Sequence, residues 1–256
     1  MNRMVRFLKG LTSLIYPNHC FFCGDTVSSD RARMCDACLK RFGEEAAFPC
    51  PVCGKTASDC GCGAFYLKRE IFPNVRVASA FFYSPDPKFR PLEMARSLIL
   101  RCKQSYSPEL AEELARKIGF RLTALLEQQG ETTDGWIVTY PPRSGDNLLR
   151  YGFDHGEMIA NALARQLGLP CRKTMFRVSG KKQKELASEE RYANAAGSLA
   201  CIERAVVRGG KYILVDDVIT TGATVAVAAD LLYRHGASAV LPSAPAKTLM
   251  KRSRSG

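Results

Sequence analysis

The sequence YILVDDVITTGAT, residues 212–224, decides the fold of this chain. Its first four residues are apolar, which is typical of a β-strand covered on both faces of a parallel sheet. Asp216 and Asp217 follow, and a turn rich in threonine and glycine then leads into a segment with helical character. Because open α/β sheets bind ligands at the carboxyl ends of their strands, this junction is the predicted binding site.

The turn after the two acids has the composition of a phosphate-binding loop. Its hydroxyls and backbone N–H groups would lie at the amino terminus of the next helix, where anions are stabilised. Small side chains also let the backbone itself approach a phosphate. The residues predicted to form this monophosphate cup are Thr220, Thr221, Gly222, Ala223 and Thr224.

Two other interpretations of the segment explain less. An apolar strand ending in two acids is also typical of a Walker B strand, but the sequence contains no G-x-x-x-x-G-K-[ST] loop to accompany it. An ordinary strand–turn–helix junction would not need two acids and three threonines around a glycine. Asp216 and Asp217 are instead the predicted catalytic residues, placed to accept hydrogen bonds from sugar hydroxyls and to favour an oxocarbenium-like transition state.

The segments around this junction alternate between strands and helices. The predicted strands lie at 75–83, 136–140, 212–215 and 239–241, and the predicted helices within 91–128 and at 155–167 and 225–235. Such alternation predicts an α/β fold with a mostly parallel sheet and flanking helices. The predicted divisions are 1–65 for an amino-terminal helix and a cysteine-rich module, 66–90 for a linker and first strand, 75–245 for the α/β domain, and 246–256 for a basic tail.

Eight of the eleven cysteines lie between residues 20 and 62, and they predict two structural zinc sites. Four thiolates match the tetrahedral coordination of zinc. Disulfides are the alternative, but nothing in the sequence marks the chain as secreted. One residue, rather than two, separates the last pair, and a crossed pairing of the sets stays open. The predicted ligands are Cys20, Cys23, Cys35 and Cys38 for one ion, and Cys50, Cys53, Cys60 and Cys62 for the other.

The bulk composition favours a cytoplasmic protein with a polyanionic ligand. The formal net charge is +12, although a solvated basic surface would also account for it. No apolar stretch reaches the roughly 18 residues that a membrane span needs. The amino-terminal apolar segment is interrupted by polar residues and lacks a cleavage site, so we expect an amphipathic helix there rather than a signal peptide.

Several segments together resemble the ComF family, which joins a double zinc ribbon to a type I phosphoribosyltransferase domain. Residues 212–224 are similar to the signature of those transferases, which binds phosphoribosyl diphosphate (PRPP). The more specific likeness comes from the two cysteine sets, from RYGFDH at 150–155, and from KQKEL at 182–186 followed by ERYAN at 190–194. The resemblance extends from about residue 11 to residue 241.

The resemblance implies a type I phosphoribosyltransferase fold that binds PRPP at residues 215–224, with Mg²⁺ bridging the diphosphate and ribose oxygens. It also implies a pyrophosphate-binding loop near residues 140–143 and a flexible loop that closes over the site, although solvent exposure alone would also explain the charges of that loop. The residues implicated in these two loops are Pro142, Arg143, Arg150, Lys182, Lys184 and Arg191. Residues 144–147 are less basic here than in typical relatives, which weakens the expected grip on pyrophosphate.

Two functions follow from the resemblance. The first is transfer of phosphoribose from PRPP to an acceptor that the sequence does not identify. The second is DNA handling in natural competence, with uptake of single-stranded DNA, in which PRPP binding is regulatory or coupled. The expected partners are therefore PRPP and single-stranded DNA, and the zinc ribbon is a candidate docking module for a competence helicase or another protein.

Overall fold

The computed structural model describes residues 18–27, 34–71, 76–178 and 195–249. The strands are β1 (Asn18–His19), β2 (Thr26–Val27), β3 (Ala78–Tyr83), β4 (Trp136–Thr139), β5 (Met175–Arg177), β6 (Leu199–Cys201), β7 (Lys211–Val215), β8 (Val218–Ile219) and β9 (Ala239–Thr248). The helices are α1 (Asp36–Ala46), α2 (Phe65–Glu70), α3 (Glu93–Gln104), α4 (Pro108–Glu127), α5 (Gly145–Tyr151), α6 (His155–Leu167) and α7 (Ala223–Arg234). Within these ranges, no helix is both long and apolar enough to cross a membrane.

The centre of the molecule is a parallel sheet with the strand order β3, β9, β7, β4, in which β8 pairs with the far end of β9. The apolar run of β7 is fully buried because neighbouring strands flank it and helices cover its faces. In the register, Ile213 lies between Val138 of β4 and Leu241 of β9. The predicted α/β class with a parallel sheet is therefore confirmed.

Two helices begin at side-chain caps that are visible in the sequence. Ser107 caps α4, its hydroxyl accepting the N–H of Leu110 at 3.3 Å, and proline occupies the first turn, where its missing N–H costs nothing. Asp154 caps α6 in the same way, and that helix has the limits that the sequence predicts. Helices α4 and α6 pack closely, since a Cβ on Gly119 would lie 3.4 Å from a methyl of Leu163.

The last strand is longer than the sequence predicts. Strand β9 continues through Pro242 and Pro245 to Thr248, so the prediction that it ends near residue 241 is wrong. Proline is disfavoured at interior strand positions because it cannot donate a hydrogen bond to the neighbouring strand. The sequence therefore predicts a strand that ends before the prolines. Residues 243–246 nevertheless stay in the strand because they are buried between β3 and the rest of the sheet. Residues 246–248, placed by the sequence in the basic tail, are part of the sheet.

The cysteine-rich module packs directly on the α/β domain through α1. Phe42 meets Phe81 of β3 edge to face, with the ring centroids 5.1 Å apart. Glu45 is buried, and its carboxylate accepts the N–H groups of Met94 and Ala95 at 3.0 and 2.9 Å. These donors lie in the first turn of α3, where a negative charge is stabilising. The module thus supplies the cap of a helix in the domain.

Replacement of Glu45 by alanine is expected to lower the free energy of unfolding by about 2 kcal/mol, because two buried N–H groups lose their acceptor. Chemical denaturation followed by circular dichroism measures the change. The matched control is Glu44→Ala, which removes the exposed neighbouring carboxylate and should alter stability by less than about 0.5 kcal/mol. Equal effects of the two substitutions would contradict the capping role.

Candidate phosphate-binding site and cysteine clusters

The loop between β7 and α7 forms an open pocket of about 220 Å³ at the carboxyl end of the sheet. Thr220 is exposed, Thr221 and Thr224 are half-buried, and Gly222 adopts a left-handed conformation with φ of +78° as α7 begins. The five residues of the predicted cup all line this pocket, and Asp216 lines it as well. The structure therefore brings the cup and one of the two acids to a single cavity.

The back of the cup rests on α2, the helix that follows the second cysteine set. The Tyr66 N–H donates to the carbonyl of Thr221 at 3.0 Å. A Cβ on Gly222 would lie 3.2 Å from the Cβ of Leu67 and 3.3 Å from the Cα of Ala64. Both the positive φ and this close approach require glycine at position 222. The shape of the cup thus depends on the segment that joins the cysteine-rich module to the domain.

The two acids have different surroundings. Asp216 is half-buried and faces the pocket, and its Oδ1 accepts the N–H of Asp217 at 2.8 Å. Asp217 is buried, and its Oδ2 lies 2.5 Å from Nε2 of His155 and 3.1 Å from Nζ of Lys103. The sequence predicts the same role for the two carboxylates. In the structure, Asp216 lines the pocket and Asp217 contacts two basic side chains instead.

The pKa values of the two acids move in opposite directions. Burial raises the pKa of Asp216 to about 7, and the neighbouring charge of Asp217 adds to this rise. Burial alone would also raise the pKa of Asp217, but the close contact with His155 and the charge of Lys103 outweigh it and lower this pKa to about 2. Asp217 is therefore the member of the pair that stays ionised near neutral pH.

Three basic residues near the acids are absent from the predicted site. Lys103 comes from the last turn of α3 and His155 from the first turn of α6, and both contact Asp217. Arg177 of β5 lines the pocket, and it donates to the carbonyl of Pro142 at 2.8 Å and to the hydroxyl of Ser198 at 2.7 Å. Lys103 and Arg177 belong to no motif named from the sequence, and His155 ends the RYGFDH segment without being predicted as a site residue. Only the tertiary fold brings these elements to the end of β7.

Of the six residues predicted for the pyrophosphate and flexible loops, three lie in the described part of the chain, and each of them contacts other protein groups. The Arg143 guanidinium donates to the carbonyls of Phe153 and Lys103 at 3.1 and 3.0 Å, and it lies 4.4 Å from the ring centroid of Tyr151. Arg150 lies on the exposed side of α5, 5.2 Å from the same ring centroid. Pro142 is buried and offers its carbonyl to Arg177, as noted above. The other three predicted residues, Lys182, Lys184 and Arg191, lie outside the described residues.

The cysteines form two groups of four, and each group joins neighbouring pairs in the sequence. Within a group the sulfur atoms all lie within 4.8 Å of one another, and the Sγ atoms of Cys23 and Cys35 are 3.6 Å apart. Tetrahedral zinc with Zn–S bonds of about 2.3 Å places its sulfurs roughly 3.8 Å apart, so the sets fit this ion. The neighbouring-pair arrangement, Cys20/23/35/38 and Cys50/53/60/62, is confirmed over the crossed one.

Each group starts with the same turn. The N–H of Gly24 donates to the carbonyl of Cys20 at 3.1 Å, and the N–H of Gly54 donates to that of Cys50 at 2.8 Å. Both glycines have a positive φ, as a knuckle of this kind requires. The close spacing of the last pair is accommodated by the N–H of Cys62, which points to the Cys60 sulfur at 3.3 Å.

A family model described as a phosphoribosyl transferase domain matches residues 154–254. Over 231 residues the chain is 29% identical to the DNA utilization protein YhgH of Salmonella typhimurium, covering 89% of this chain and 96% of that protein. The YhgH protein of Escherichia coli K12 is 28% identical over 233 residues, with the same coverage. Adenine phosphoribosyltransferase from Saccharomyces cerevisiae covers 56% of this chain and 80% of its own, at 24% identity and a TM-score of 0.32.

Replacement of Cys53 by serine is expected to reduce the zinc content of the purified protein from two ions to one, because a set of three thiolates holds zinc much less tightly. Elemental analysis by mass spectrometry measures the ratio. Cys53 is exposed, so its loss does not disturb the core. The control is Cys201→Ser, a single cysteine outside both groups, which should keep both ions. Two ions in the Cys53 variant would contradict the assignment.

Proposed function

We propose that this ComF-family protein, which carries a phosphoribosyl transferase domain, binds PRPP at residues 215–224 and transfers its phosphoribosyl group to an acceptor. The family assignment rests on the matched domain, the homology to YhgH and the two four-cysteine groups. The observation that carries the proposal is the single pocket lined by the phosphate cup and Asp216. In this proposal the cup binds the 5′-phosphate of PRPP and Asp216 contacts the ribose.

In the proposed complex the 5′-phosphate occupies the cup at the amino terminus of α7. Backbone N–H groups there, with the hydroxyls of Thr220, Thr221 and Thr224, donate to the phosphate oxygens. Asp216 accepts hydrogen bonds from ribose hydroxyls, since among the described residues that line the pocket it is the one carboxylate. Cations bound with the ligand would favour the ionised form of Asp216, and its negative charge then stabilises positive charge that develops on the ribose ring.

During transfer the bond between C1 of the ribose and the diphosphate oxygen breaks, and its electron pair leaves with pyrophosphate. A nucleophilic atom of the acceptor forms the new bond to C1 and loses its proton to the departing pyrophosphate or to water. Mg²⁺, bound with PRPP, would neutralise the diphosphate, and Asp216 is the pocket carboxylate suited to its coordination shell. This chain supplies the cup, the charge beside the ribose, and the cations near the acid pair.

A second candidate function, handling of single-stranded DNA with PRPP binding coupled to it, is favoured by a pair of aromatic rings on the segments that carry Lys103 and His155, the two residues in contact with Asp217. Tyr106 is 69% exposed and meets Phe153 edge to face at 5.8 Å. Phe153 also lies 5.6 Å from the Arg143 guanidinium. An exposed aromatic ring that lies near cations is suited to stacking unpaired bases, and the YhgH relatives are named DNA utilization proteins.

Replacement of Asp216 by asparagine is expected to weaken PRPP binding about tenfold, because charge-assisted hydrogen bonds to ribose are lost. Titration calorimetry with Mg²⁺ present measures affinity, and release of pyrophosphate in the presence of nucleobases or oligonucleotides measures transfer. The control is Asp230→Asn, which changes an acid farther along α7 that pairs with Arg234. Wild-type affinity in the Asp216 variant would contradict the proposed site.

Replacement of Tyr106 by alanine is expected to weaken binding of a single-stranded oligonucleotide roughly tenfold, because one stacking surface is lost. Fluorescence anisotropy at several salt concentrations measures this, and the affinity should fall as salt rises. The control is Phe120→Ala, which removes an equally exposed ring from another groove. If the wild-type protein does not bind the strand at low salt, the DNA-handling candidate is wrong.

A further inference from the structure

We propose that Lys103, which Asp217 and His155 hold in place, is the cation that binds the diphosphate of PRPP. Of the two acids, Asp216 alone then contacts the ribose. This inference rests on the proposed binding of PRPP and assigns separate roles to the two acids. Neither Lys103 nor His155 belongs to the sequence motif of the phosphate cup.

The first step of the argument is that Asp217 is not free to bind sugar hydroxyls. Its side chain is only 9% exposed, and its Oδ2 is shared between the His155 ring and the Lys103 ammonium. It does not line the pocket that Asp216 and the cup form. Turning this carboxylate toward a ribose would break its contacts with both the His155 ring and the Lys103 ammonium, which is costly.

The second step is the exposure of Lys103. Its side chain is 36% exposed although its ammonium contacts the buried carboxylate, so this group lies at the border between the acid pair and solvent. Burial favours the neutral amine, but the charge of Asp217 outweighs it and raises the pKa of Lys103. An ammonium has three donors, and one contact with Asp217 leaves others for a ligand.

The third step is the direction in which PRPP extends. The 5′-phosphate and the diphosphate lie on opposite sides of the ribose, so a ligand with its phosphate in the cup and its ribose at Asp216 presents the diphosphate beyond the acids. Lys103 contacts Asp217 and is absent from the lining of the cup. Arg177, in contrast, lines the cup. Arg143 is already bound to the carbonyls of Phe153 and Lys103.

His155 completes the arrangement as a positioning residue. It fixes Asp217 through Nε2 at 2.5 Å, while its Nδ1 is buried and has no hydrogen-bond partner among the described residues. The helix cap at Asp154, which accepts the N–H groups of Gly156 and Glu157, sets the start of α6 and thereby the position of the ring. Loss of this ring would allow Asp217 to move and Lys103 with it.

The test compares two ligands that differ only in the diphosphate. In calorimetric titrations with Mg²⁺, Lys103→Met should weaken PRPP binding roughly tenfold and leave ribose 5-phosphate binding unchanged. Asp217→Asn should reproduce this selective loss, and the double variant should bind no more weakly than either single one, because the two residues act as a unit. Asp216→Asn should weaken both ligands.

The matched control is Lys211→Met. Lys211 is a half-exposed lysine that pairs with Glu131 at the opposite end of β7, and its loss should leave both affinities unchanged. His155→Gln, which keeps a donor toward Asp217, should stay within about twofold of the wild type, whereas His155→Leu should show the selective loss. Circular dichroism verifies that each variant is folded. If Lys103→Met does not fold, Lys103→Arg is measured in its place, and it is expected to retain PRPP binding.

Two outcomes would overturn the role of Lys103 alone. In the first, a folded Lys103→Met variant binds PRPP as tightly as the wild type, or, where that variant does not fold, Lys103→Arg loses PRPP binding although it keeps the positive charge. In the second, PRPP and ribose 5-phosphate weaken equally. If the wild-type protein binds neither ligand, the proposed function itself is wrong, and the role of Lys103 falls with it.

Discussion

The carboxylate of Asp217 joins three distant parts of the chain at the end of the central sheet. It follows β7, and it contacts Lys103 from the last turn of α3 and His155 from the first turn of α6. A buried carboxylate with two such partners stays ionised, and removal of either partner would weaken the compensation of its charge. This contact therefore fixes both helices relative to the acid pair, and it leaves Asp216 as the acid that faces the pocket.

The cysteine-rich module is built into the domain rather than appended to it. Glu45 caps α3, the helix that ends near Lys103. Buried Lys247, in β9, donates to the carbonyl of Cys60, and α2 supports the cup through Tyr66. Zinc would hold the turns that place these groups, and four thiolates leave no open coordination position for catalysis. Its contribution is to the shape of the site.

The sequence predicts the features that are encoded locally. The apolar run, two acids and small residues of 212–224 predict the strand, the cup and its place in the sheet, and the cysteine spacing predicts both groups of four. Contacts between distant segments are not visible in such patterns. From the sequence, Lys103 is indistinguishable from a solvated lysine at a helix end. Arg143 is predicted to be a cation available to a ligand, but in the structure its guanidinium donates to two carbonyls. Strand β9 is predicted to be too short because its prolines are unfavourable in strands, whereas burial in the sheet keeps this segment extended to residue 248.

The most direct test of the central claim is a crystal structure of the full chain with PRPP and Mg²⁺. The 5′-phosphate should occupy the cup formed by residues 220–224, with the ribose hydroxyls at Asp216 and the diphosphate at Lys103. PRPP bound elsewhere on the protein, or a cup that stays without phosphate at saturating PRPP, would contradict the account.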